Sequence, residues 1–161
     1  MKREDRRKRL EHLIQERKKQ KEKLQREKQI TEMLELFPEE SDVEILDEVE
    51  SDKIESNMTD CFPIASWGRI DWEKVDNKII FTTEDILNIP TVLLNKSLDI
   101  TVPVYLIVGE YKYPVVKTTL FTILDCIEDV MYVGPDQWIY CPSLRYVVEI
   151  NHDDIVSIGW I

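Results

Sequence analysis

The sequence predicts an α+β domain: a mostly antiparallel sheet with two packed helices, preceded by a long charged helix and an acidic linker. Three observations lead there. The charge is segmented, with 13 Lys/Arg against 8 Asp/Glu in residues 1–36, ten acids against Lys53 alone in 37–60, and 14 acids against 7 bases in 61–161. The run TVPVYLIVGEY is β-branched and apolar on both parities, the mark of a strand buried on both faces. The last eighteen residues, LRYVVEINHDDIVSIGWI, read as two strands about a turn.

Residues 1–37 contain no Gly or Pro and consist of strong helix formers. Acid–base pairs at helical spacing recur, among them Glu4 with Lys8, Glu16 with Lys19 and Glu22 with Arg26. With Leu10 and Leu13 as core positions, half of the heptad seam is polar, so a coiled coil is disfavoured. Two readings stay open: a solvated helix, or a basic arm touching RNA or an acidic partner. Ile30, Met33, Leu34 and Phe37 predict that its last turns dock on the body. Pro38 ends the helix, and repulsion among the acids of 38–60 predicts a flexible tether, with Val43, Ile45, Leu46 and Val49 as one sticky element.

Residues 61–161 hold the globular domain. KIIFT after Asn77 is a strand, and Thr83-Glu84-Asp85 opens a helix that Pro90 interrupts or bends. Leu120, Ile123, Leu124, Ile127 and Val130 lie at helical spacing. MYVGPDQWIYCP reads as two short strands around Gly134-Pro135, and Asn151, Asp153 and Asp154 supply the final turn. The expected order is strand, helix, strand, helix, then three strands.

Composition removes several function classes. Four glycines and no GxGxxG or GxxxxGK[ST] leave no phosphate-cradling loop. Cys61, Cys126 and Cys141 form no CxxC, and the two histidines are far apart, which excludes a Cys/His zinc site. The longest apolar stretch, from Val102 to Val108, is broken by Pro103. A membrane span and a secretory leader are not expected, and a cytoplasmic location is. His152 reads as a turn residue rather than a general base, and no carboxylate pair has a catalytic spacing, so neither an enzyme nor a cofactor is expected.

What remains is a surface. Four tryptophans and six tyrosines fall in 61–161, and Trp72 and Trp138 stand beside acidic or polar neighbours. Aromatics ringed by carboxylates suit an acidic protein that captures a basic one. The domain's net charge of −7 disfavours direct nucleic-acid binding.

Beyond composition, FPIASWGRIDW (62–72), VYLIVGEYKYPVVKTTL (104–120), IEDVMYVGPDQWIY (127–140) and YVVEINHDDIVSIGW (146–160) resemble bacterial immunity proteins of contact-dependent growth inhibition and related polymorphic toxin systems. The matching residues are Trp67, Asp71 and Trp72; Pro114 and Lys117; Glu128, Asp129 and Val130; Asp136 and Trp138; and Glu149, His152 and Gly159. This resemblance spans 61–161 and implies a non-enzymatic antitoxin that binds a cognate toxin domain, commonly a nuclease. Asp71, Trp72, Asp136, Trp138, Glu149, His152 and Asp153 are the residues expected on the toxin-binding face. The alternative is an adaptor whose basic helix and acidic domain hold different partners.

Overall fold

The computed structural model describes residues 2–109 and 112–161. Its centre is a seven-stranded sheet in which every neighbouring pair is antiparallel, in the order β1-β4-β3-β5-β6-β7-β2. The strands are β1 (Glu44–Ile45), β2 (Lys78–Thr82), β3 (Val104–Val108), β4 (Val116–Thr118), β5 (Gln137–Cys141), β6 (Tyr146–Ile150) and β7 (Ile155–Trp160). The helices are α1 (Arg3–Glu35), α2 (Glu48–Cys61), α3 (Ile89–Asn95), α4 (Leu120–Asp125) and α5 (Ile127–Tyr132). Short 3-10 turns at Trp72–Lys74 and Thr83–Asn88 complete the chain.

Both faces of the sheet are covered, which is why β5 and β6 are buried at every position. Alternate residues such as Leu106, Ile139, Val148 and Ile158 meet α3, α4, α5 and the end of α1 in one core. The opposite parity, with Ile107, Trp138, Tyr140 and Val147, meets α2 and the segment 62–75 in a second. Continuous apolar runs with no polar parity are the signature of such a doubly covered sheet.

The end of α1 docks as expected: Met33 is fully buried and Phe37 nearly so, whereas Leu34 is half exposed. The acidic segment departs from expectation. Instead of a flexible linker it forms β1 and α2, with Leu46, Ser51 and Met58 buried. Asp47 caps α2 by accepting the Glu50 N–H at 2.8 Å, and the acids of its first turn favour the positive helix end. Ser51 Oγ accepts the Val115 N–H at 3.0 Å, and the Tyr140 hydroxyl reaches Asn57, so α2 is tied to the sheet at both ends. Repulsion among the carboxylates is relieved because they line its solvated side.

Three further corrections concern short elements. β4 lies just before the expected helix, as a strand absent from the expected order, and that helix is two, α4 and α5, broken at Cys126 (φ −122°, ψ 28°). Met131 and Tyr132 belong to or flank α5, so one strand, β5, follows Gly134-Pro135 instead of two pieces around it. Pro90 sits in the first turn of α3, where its missing N–H costs nothing, and a 3-10 turn takes up Thr83–Asn88 before it.

Candidate functional site: a carboxylate hub under an exposed loop

Glu149 lies on β6, only 2% exposed, between its cross-strand neighbours Trp138 of β5 and Ser157 of β7. Its carboxylate accepts three N–H groups. Oε2 takes the Trp138 indole N–H at 2.8 Å and the Ile70 backbone N–H at 3.0 Å; Oε1 takes the Trp72 indole N–H at 2.9 Å. A buried carboxylate persists only when its lone pairs are satisfied in this way. The three bonds clamp residues 70–72, which have no strand partner in the main sheet, onto its second face. Gly159 makes room for this: a Cβ there would meet the Trp72 ring at 2.7 Å.

The clamped segment is a small hairpin. Ile64 bridges Ile70, Ala65 N–H bonds Arg69 O at 2.8 Å, and Gly68 takes φ +86° at the tip, a conformation suited to glycine. Trp67, next to it, is left 66% exposed. Arg69 turns toward the β6–β7 turn and pairs with Asp153 at 3.7 Å. Within that turn Asn151 Oδ1 accepts the N–H groups of Asp153 and Ile155 at 2.9 and 3.2 Å. His152 Nδ1 lies 3.1 Å from Asp136 Oδ1, which also accepts the His152 backbone N–H at 3.3 Å.

The seven residues singled out in the sequence therefore fall into linked groups. Trp72, Trp138 and Glu149 meet at the hub. Asp136, His152 and Asp153 meet at the turn, and Arg69 joins that turn to the hairpin. Asp71 is partly buried beside the hub and pairs with Lys74 at 3.3 Å. Trp138 and Glu149 face inward because β5 and β6 are central strands covered on that side. Their polar neighbours Asp136 and Gln137 do not place Trp138 at the surface. Trp67 and Arg69 were not singled out as candidates; the signal available was an aromatic before glycine and the one base in 61–73.

Beside the hairpin lies a cleft of about 310 Å3, floored by Ile107, Met58 and Trp138. Glu48, Asp52 and Glu55 of α2 stand on one wall, with Arg26 and Lys112 also lining it. Burial, then the neighbouring Asp52 charge, raise the Glu55 carboxyl above its usual range, against the pull of Lys112.

Little here resembles a reaction centre. His152 is on an exposed turn with carboxylates for company. The Cys126 thiol donates a hydrogen bond to Thr122 O, and burial followed by Asp129 and Asp125 pushes its pKa up to about 11, so it is protonated at neutral pH. Among the described residues no group of three or more His, Cys, Asp or Glu side chains could hold a metal ion. None of the helices described is long and apolar enough to cross a membrane.

The sheet, covered on both faces, presents a hairpin and a turn braced by side-chain hydrogen bonds. The chain belongs to the CdiI immunity protein family: the family model for EcoliA0-like CdiI immunity proteins matches residues 30–159. That match takes in the docked end of α1, β1 and α2 as well as the domain first read from residue 61. No curated protein matches the chain at a significant level.

Proposed function

We propose that this immunity protein neutralises a cognate toxin domain by covering a basic, nuclease-like substrate surface with the face built around the Glu149 hub. The observation that supports this reading is the division of labour at that hub. Trp138 and Glu149 are buried and brace the face, while Trp67, His152 and Asp153 are exposed on it. An exposed tryptophan on a pre-ordered hairpin binds with little loss of conformational entropy, and surrounding carboxylates speed encounter with a cationic target. The acidic wall of the neighbouring cleft extends the same field. The chain acts by occlusion, and no bond is made or broken.

Co-expression with the toxin domain encoded beside it tests this. The expected result is restored growth and a co-purifying complex. Trp67→Ala, remote from any core contact, is expected to weaken the complex by about 2 kcal/mol, some thirtyfold in Kd. Rescue of growth without a complex would instead indicate an indirect action.

A further inference from the structure

From the fold and charge pattern we infer that α1 is an exchange arm, which seats on the acidic outer side of α2 in a second copy of this chain. Every residue from 2 to 25 is exposed, and the helix meets its own body from Arg26 onward, where Arg26 reaches Leu46 O and Gln29, Met33 and the following Phe37 are buried. The exposed part extends about 35 Å at 1.5 Å per residue. It also lies outside residues 30–159, the part shared with the family.

The arm is segregated by charge. At 3.6 residues per turn, Leu10, Leu13 and Leu24 fall on one stripe, each 46–59% exposed. Arg3, Arg6, Arg17 and Lys21 continue that stripe at spacings of three or four. The acids of the arm, Glu4, Asp5, Glu11, Glu16 and Glu22, all fall on the other half. Two of them pair there with Lys8 and His12. The docking residues Gln29 and Met33 are also on that other half, so the basic aliphatic stripe faces away from the arm's own body.

The complementary surface is in the same chain. Nine of the ten acids in 37–60 are exposed, with Lys53 the single base among them. The outward groove of α2 is lined by Val49, Asp52, Lys53, Ser56, Asn57 and Asp60, and Val49 is 64% exposed at its start. An aliphatic stripe flanked by cations meets an acidic helix surface with Val49 as its aliphatic contact. An RNA would leave the leucines unused, and the net −16 of residues 37–161 repels an anionic membrane. Reciprocal exchange of two arms closes a twofold dimer.

Sedimentation of the full chain tests this, with two charge-swapped variants. One carries Arg3→Glu, Arg6→Glu, Arg17→Glu and Lys21→Glu; the other carries Glu50→Lys, Asp52→Lys and Asp60→Lys. The native chain is expected to sediment at twice its 19.1 kDa mass and to dissociate near 0.5 M salt, where the screening length falls to about 4 Å. Each variant alone is expected to be a monomer, and an equimolar mixture to form a heterodimer, since both its arm contacts are again of opposite sign. Circular dichroism that matches the native chain shows each variant folded. A native chain that stays monomeric, or a mixture of the two folded variants that fails to associate, overturns the inference. So does a monomer that binds vesicles of phosphatidylcholine with phosphatidylglycerol, because the stripe then serves a lipid surface.

Discussion

Glu149→Ala is expected to lower the unfolding free energy by about 4 kcal/mol, because three donors, two of them buried and one part-buried, lose their acceptor together. The Trp72 and Trp138 indoles and the Ile70 amide all end on that carboxylate. For a chain of this length such a loss lowers Tm by roughly 8–16 °C. Glu149→Gln separates charge from shape. Its amide keeps one accepting oxygen but aims an NH2 group at the remaining donor or donors, so a loss of about 2 kcal/mol is expected. Thermal unfolding of both variants checks this. A Glu149→Ala protein as stable as the native one would show that residues 70–72 are held by packing alone.

Reversing charge at the rim has the opposite profile. The pair Asp71→Lys and Asp153→Lys is expected to slow association with the toxin domain on the order of 30-fold at low salt. Dissociation is expected to change only a few-fold, since desolvated contacts set residence time. Asp153 is 58% exposed in its pair with Arg69, so its reversal moves folding stability by less than about 1 kcal/mol, whereas the Asp71 side chain is only 17% exposed beside Lys74 and its reversal costs more, which thermal unfolding of each single variant reads separately. Stopped-flow mixing at two ionic strengths reads the effect. An association rate that ignores both the substitutions and the salt places the toxin elsewhere.

These two variants also mark where sequence and structure part. The strands buried on both parities were legible, because β3 and the β6–β7 hairpin carry apolar residues at alternate and intervening positions alike. The turn at Asn151–Asp154 was legible through its side-chain chemistry. α2 was not: its ten-acid neighbourhood reads as repulsion, and the few residues that anchor it, Leu46, Ser51 and Met58, are scattered among charges. β4 was hidden by its length, three residues between Val115 and the Thr119 that caps α4. At the site, sequence brought out the right residues but not their direction. Trp138 follows the polar Asp136-Gln137 and Glu149 is itself charged, yet both faces of the sheet are covered and both side chains are buried, and only three-dimensional pairing reveals that one carboxylate serves two indoles.

The same geometry explains how an acidic chain with few glycines holds the hairpin and turn of the proposed binding face in place. The sheet supplies the floor and Glu149 the clamp. Gly159 admits the Trp72 ring, and Gly68 turns the hairpin so that Trp67 stands clear. On the proposed reading, specificity would reside in the hairpin tip and the β6–β7 turn, which lie outside the three bonds of the clamp.

Hydrogen–deuterium exchange of the full chain, alone and with its toxin domain, probes the occluding face most directly. The expected result is new protection at residues 63–72 and 151–154, with the exposed half of α1 unchanged by the toxin. Protection confined to the helices of the opposite face, around Leu87 and Leu94, with the hairpin left as open as in the free protein, would contradict it.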